Sequence, residues 1–147
     1  MQITHLVASR ATCLRRKVGA VLVRDKRILT TGYNGPPAGL PHCDELGGCL
    51  RDKLGIPSGE RHEISRAVHA EQNAIIQAAV HGISMEGATL YATNQPCSLC
   101  TKMLVNAGVR EFVISGGYPD ELAREIMEQA EVVVRRMESS ITTESLP

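Results

Sequence analysis

His69-Ala70-Glu71 and, well downstream, Pro96-Cys97-Ser98-Leu99-Cys100 constrain this chain more than any other feature, because their chemistry makes sense only if two distant segments meet at one metal ion. Histidine and cysteine are the ligand types of zinc. A zinc held by three protein groups keeps a fourth position for water, whose pKa then falls to about 7. Glu71 stands two residues after the histidine, too close to be the natural fourth ligand and close enough to reach that water as a proton carrier. The bland reading is a pair of core cysteines one helical turn apart and a hydrogen-bonded core histidine. All four residues together, with Pro96 fixing the turn before the first thiol, favour a catalytic zinc held by His69, Cys97 and Cys100.

At 147 residues the chain fits one domain whose core needs no disulfide staples. Lysine plus arginine (16) balance aspartate plus glutamate (16), so no basic field exists to hold a long nucleic acid, and a small substrate is expected. No stretch approaches the roughly 18 consecutive apolar residues of a membrane span. His5 and Ser9 interrupt the apolar residues of the N-terminus, and a cytoplasmic protein is expected. Five cysteines are an odd number, which in a reducing compartment points to metal binding or burial rather than a disulfide framework.

Ile3, Leu6, Val7 and Cys13 recur at helical intervals and predict a first helix within residues 2 to 14. Val18 to Val23 and Ile28 to Tyr33, split by the charged turn Arg24-Asp25-Lys26-Arg27, predict a hairpin. Glycines and prolines crowd the segment from Asn34 to Glu63, so residues 34–64 are expected to form a loop-rich insertion of the functional kind. A helix is predicted from Ser65, a candidate N-cap, to Gly82, with His69 and Glu71 in its first turns. Then follow a strand over Ala88 to Thr93, a helix over Cys97 to Ala107, and a strand over Glu111 to Ser115. A helix over Pro119 to Ala130, with Leu122, Ile126 and Met127 inward, and a short strand over Glu131 to Val134 complete the pattern. Both metal motifs therefore open helices, where the dipole and free amides favour thiolates. Strands alternating with helices after residue 66 imply parallel pairing and helices on both faces of the sheet. Residues 1–138 are expected to be a single domain and 139–147 a flexible tail.

With these two motifs at helix starts, the chain resembles the cytidine deaminase superfamily over most of its length. The resemblance implies an α/β fold of three layers, α/β/α, with a five-stranded mixed sheet. Three further stretches resemble the deoxycytidylate deaminase branch: Cys13-Leu14-Arg15-Arg16-Lys17-Val18-Gly19-Ala20, Gly32-Tyr33-Asn34-Gly35-Pro36-Pro37-Ala38-Gly39, and Pro41-His42-Cys43. The Gly-Tyr-Asn-Gly run is the discriminating one, since the zinc signature is shared across the superfamily.

What this implies is a zinc-dependent hydrolase that deaminates dCMP to dUMP and ammonia and so supplies thymidylate synthesis. Glu71 would carry the proton to ring N3 and then to the leaving amine. The alternatives are a deaminase of another cytosine nucleoside, nucleotide or modified base, and a noncatalytic competence-associated zinc protein. Asn34 matches the position that hydrogen-bonds the deoxyribose in this family. Ala70 and Asn73 on the zinc helix, and Tyr118 after Gly116-Gly117, complete the candidate substrate contacts; a turn asparagine, solvent exposure and core packing are the plain readings. Arg15, Arg16, Lys17, Arg24, Lys26 and Arg66 all stand where a phosphate cradle is conceivable, with no signal that chooses among them.

Members of the branch can carry a second, structural zinc, and Cys13, Cys43, Cys49 and His62 remain as its candidate ligands. His42 in place of His62, Glu63 in the shell, or a buried Cys13 beside a mobile loop are the alternatives. The resemblance also implies a homo-oligomer, a hexamer in many members, with dCTP and dTTP as effectors. The zinc helix here ends Ala78-Ala79-Val80-His81, without the arginine some regulated relatives place there, so allostery is left open.

Overall fold

The expected hairpin forms as β1 (Gly19–Arg24) and β2 (Arg27–Tyr33), antiparallel around Asp25 and Lys26. Both turn residues take positive φ, 51° and 61°, which is the backbone that matches the right-handed twist of the strands it joins. β1 also pairs antiparallel with β3 (Thr89–Asn94), while β3 with β4 (Glu111–Gly116) and β4 with β5 (Val133–Arg136) pair parallel. The sheet is therefore five-stranded and mixed, in the order β2-β1-β3-β4-β5. Parallel partners need long crossovers, and α4 (Ser98–Asn106) and α5 (Glu121–Gln129) supply them. The computed structural model describes residues 1–57 and 59–138, so the tail expected at 139–147 lies outside the described residues.

Strand register separates the two faces. Ala20, Gly32, Ala92 and Ile114 lie side by side, as do Leu22, Leu90 and Phe112. These residues pack against Ala70 and Ala74 of α3 (Ala70–Val80), Leu104 of α4, and Ala123 and Met127 of α5 as one core. α1 (Gln2–Ser9) covers the opposite face at Gly19, where a Cβ would sit 2.4 Å from the Thr4 carbonyl oxygen and 2.7 Å from the Ala8 nitrogen. Helices on both faces of a five-stranded sheet give the expected three layers. No helix among the described residues is long and apolar enough to cross a membrane.

Several local expectations are corrected. The first helix stops at Ser9, and its buried side is Thr4, His5 and Ala8, whereas Ile3 and Leu6 are 53% and 56% exposed. The close approach to Gly19 explains this inversion: only the side that brings backbone onto backbone fits there. The zinc helix begins at Ala70 with His69 as N-cap, not at Ser65. Ser65 instead closes a 3-10 turn, His62–Ile64, and Val68 exchanges both backbone hydrogen bonds with Gly35, holding the approach to the helix extended. In α5, Ala123 and Met127 face inward and Leu122 is half exposed. The last strand runs Val133–Arg136 because Glu131 turns the chain at φ 53°. Within the insertion the only helix among the described residues is α2 (Leu50–Lys53), apart from that 3-10 turn.

Candidate active site

Three side chains converge where two helices start. His69 is the N-cap of α3, and its own N–H donates to Gln72 Oε1 at 2.9 Å, which sets the angle at which the chain enters the helix. Cys97 is the N-cap of α4 and Cys100 lies in its first turn. His69 Nδ1 stands 3.5 Å from Cys97 Sγ and 3.5 Å from Cys100 Sγ. All three donor atoms lie within 4.8 Å of one another. A tetrahedral zinc, with bonds of about 2.3 Å to sulfur and 2.0 Å to nitrogen, separates such donors by about 3.5 Å, so the site fits zinc as it stands.

The electrostatics agree with that fit. The Cys97 thiol is pulled down to about 4, most by the hydrogen bond from Cys100 and further by His69, against the opposing effect of burial. His69 is correspondingly raised, most by its hydrogen bond to Cys97. Cys100 is pushed up, by holding the shared proton and then by burial. One ligand is thus a thiolate before any cation arrives.

Glu71, in the first turn of α3, is only 4% exposed, and its Oε2 lies 3.8 Å from Cys100 Sγ. Among the described residues it forms no ion pair. Burial, its largest influence, raises its pKa, so it binds a proton more readily than a solvated glutamate does. A buried carboxyl beside a three-ligand metal site, free of any structural ion pair, is a group equipped to take up and release protons.

One carboxylate ties this corner together. Asp120 Oδ1 accepts from Ala123 N at 2.9 Å, capping α5, and Oδ2 accepts from Ser98 N at 2.8 Å, the residue after Cys97. Burial works to raise its pKa, but these amide bonds outweigh it and leave the group below the usual carboxylate value. A depressed folded-state pKa adds stability above the unfolded value of about 4, and this stability is lost as pH falls through the folded one. Asp120→Ala should cost about 1–2 kcal/mol at neutral pH, measured by denaturant unfolding, and the gap to wild type should narrow as pH falls below about 4.

The site opens into a solvent-facing cleft. Asn34, Ala70 and Tyr118 line it, and His62 lines it as well. Asn34 is largely committed elsewhere: Oδ1 accepts from Val18 N and Nδ2 donates to the Arg16 carbonyl, each at 2.8 Å, so its amide braces the strand that enters β1. Asn73 is not in the cleft; its Nδ2 donates to the Tyr33 carbonyl at 2.7 Å and fastens α3 to the end of β2. Tyr118 donates its hydroxyl proton to the Gly59 carbonyl at 2.9 Å, which obliges His62 Nε2, at 2.7 Å, to be the donor to the tyrosine oxygen. His62 also meets the His69 ring edge-on, centroids 5.0 Å apart. Tyr118 thus latches the insertion over the zinc site.

His62 Nε2 is engaged with Tyr118, and its ring lies against His69. Among the described residues only His69, Cys97 and Cys100 are arranged to hold a metal ion. The three remaining thiols are nonetheless neighbours: burial first, then the proximity of Cys49 and Cys13, raises the Cys43 thiol. Of the phosphate candidates, Arg15 and Arg16 line the cleft. Arg24 instead binds the Ser84 and Glu86 carbonyls, and Lys26 sits in the hairpin turn. Sequence reasoning missed Arg51, which also lines the cleft, because nothing periodic marks a residue inside an irregular insertion.

A His-Cys-Cys zinc site at two helix starts beside the end of a mixed sheet, with a buried carboxyl next to it, is the make-up of a zinc-dependent hydrolytic enzyme. Residues 1–116 match the family described as the cytidine and deoxycytidylate deaminase zinc-binding region. The chain is 39% identical over 136 residues to ComE operon protein 2 of Bacillus subtilis, covering 92% of this chain and 67% of that protein. It is 36% identical over 137 residues to deoxycytidylate deaminase of Saccharomyces cerevisiae, covering 92% of this chain but 43% of the yeast protein. The crystal structure of dCMP deaminase from cyanophage S-TIM5 in complex with dCMP and dUMP superposes with a TM-score of 0.75 at 31% identity, covering 92% and 91% of the two chains. The protein belongs to the cytidine and deoxycytidylate deaminase family.

Proposed function

We propose that the protein converts dCMP and water to dUMP and ammonia. The observation that carries this reading is Glu71, a buried carboxyl with a raised pKa beside three side chains arranged to hold a metal, at one cleft. The relatives named deoxycytidylate deaminase and the solved neighbour holding dCMP and dUMP support the choice of substrate.

His69, Cys97 and Cys100 would hold the zinc, which supplies, when bound, a water acidified enough to lose a proton near neutral pH. Glu71 takes that proton and passes it to N3 of the cytosine ring as oxygen bonds to C4. Glu71 then moves the hydroxyl proton to the 4-amino group, the C4–N bond breaks, ammonia leaves, and C4 becomes the carbonyl of uracil. Burial serves this shuttle because it makes the carboxyl a ready proton holder. Ala70, at the first turn of α3, and Tyr118, latched across the insertion, form walls of the cleft in which the base would sit.

Self-association goes with this reading. Ile76 and Val80 on α3, and Leu99 and Met103 on α4, are exposed apolar pairs at i, i+4 spacing on two helices. The five free cysteines suit a reducing, cytoplasmic setting. The test is ammonia release from zinc-loaded protein with dCMP, deoxycytidine, CMP and dCTP in parallel, with dCTP and dTTP added as effectors and the sedimentation rate recorded on the same sample. Turnover of dCMP well above the other three is expected. Silence on all four would remove the reading and favour a noncatalytic zinc protein.

A further inference from the structure

Arg51 is 9% exposed, and among the described residues no carboxylate lies within ion-pair distance of it. One of its nitrogens, Nη1, donates to the Glu60 carbonyl at 3.1 Å, while Nε is buried without a partner. A guanidinium does not shed its proton to escape burial, so such a group lacks an anion. Its positive charge acts on His62, His69 and Tyr118, which places it toward the zinc end of the cleft it lines.

Arg15 repeats the arrangement from the other side. Its Nε pairs with Asp52 at 3.1 Å, Nη2 donates to the Ile56 carbonyl at 2.8 Å, and Nη1 is buried without a partner. Asp52 follows Arg51 on α2, so this short helix contributes one arginine and holds the other. Behind Arg15, the Asn34 amide fixes the Arg16 carbonyl and the Val18 N–H. Two guanidinium groups are therefore pinned by backbone carbonyls in one cleft, each keeping an N–H that no protein atom accepts.

We propose that Arg51 and Arg15 are the clamp for the 5′-phosphate of the nucleotide, with Asp52 as the residue that positions Arg15. This rests on the nucleotide reading above. The clamp sets specificity by need: a nucleoside without phosphate leaves Arg51 buried with no counter-ion, whereas a phosphate of charge near −2 accepts from both arginines. The insertion, with its glycines and prolines, is then the element that reads the phosphate.

Calorimetric titration of the zinc-loaded protein with dUMP and with deoxyuridine tests this without turnover. Wild type should bind dUMP at least about 30-fold more tightly than deoxyuridine, and Arg51→Met and Arg15→Met should each weaken dUMP by about that factor while leaving deoxyuridine unchanged. Asp52→Asn should weaken dUMP by a smaller factor. Should Arg51→Met fail to show a cooperative melt, Arg15→Met and Arg51→Lys carry the test. The clamp is overturned if both substitutions leave dUMP affinity at the wild-type value, if they weaken nucleotide and nucleoside alike, or if wild type does not discriminate between them. A protein that releases no ammonia from dCMP yet loses dUMP affinity in these variants would refute the activity and retain the clamp.

Discussion

Glu71→Gln should lower deamination by about 10²- to 10⁴-fold and leave the zinc in place. Glutamine has nearly the same volume, and Glu71 is not among the three groups arranged to hold the metal, so neither packing nor coordination changes. What disappears is the only buried carboxyl within hydrogen-bond distance of the ligand set among the described residues, Oε2 being 3.8 Å from Cys100 Sγ. Metal content by elemental analysis and ammonia release measured on one preparation separate the two effects. The metal-free variant should also be more stable than metal-free wild type near pH 7. Glu71 has a raised pKa, so ionisation in the unfolded chain favours unfolding once pH exceeds about 4.3, and the difference should shrink toward pH 4. A variant that retains activity would assign the proton transfers to another group, and His62, whose Nδ1 is a buried, unpartnered acceptor, would be the first to test.

Gly32→Val should cost about 3 kcal/mol or more and take the zinc with it. A Cβ at position 32 would lie 2.1 Å from the Ala70 carbonyl oxygen and 2.5 Å from the Ala74 nitrogen. Both are backbone atoms of α3, so no rotamer relieves the overlap and the helix itself must move outward. That helix begins at His69 and carries Glu71, which makes the packing defect also a defect of the site. Gly39→Ala serves as the contrast: at φ +81° with open space around it, the change should cost only the left-handed backbone preference, about 1 kcal/mol, and no metal. Thermal melts and metal content would settle both. A Gly32→Val protein with wild-type stability and full zinc would mean that the close approach of β2 and α3 is not what holds the site.

The Gly32-Tyr33-Asn34-Gly35 run illustrates how far residue patterns carry. Resemblance assigns it to substrate contact, and Asn34 does line the cleft. Yet its amide is spent on Arg16 and Val18, Gly32 admits α3, and Gly35 pairs with Val68 to aim His69. Much of the run builds the wall of the site. In the first helix, hydrophobic spacing predicts the element, but which side is buried, Thr4, His5 and Ala8, follows from the close approach of Thr4 and Ala8 to Gly19.

His69, Glu71, Cys97 and Cys100, the helices they open, the hairpin and the alternation that gives parallel pairing were all legible in the residues themselves, while the mixed sheet came from the family resemblance. Ligand identity is carried by residue type, and helix starts and strand periods are local, spanning only a few positions. The clamp and the latch were decided by tertiary structure alone. Arg15 meets Ile56 across 41 positions and Tyr118 meets Gly59 across 59, through an insertion whose glycines and prolines impose no period. Contacts of that range depend on where the rigid sheet delivers the ends of an irregular loop, and no local pattern encodes it.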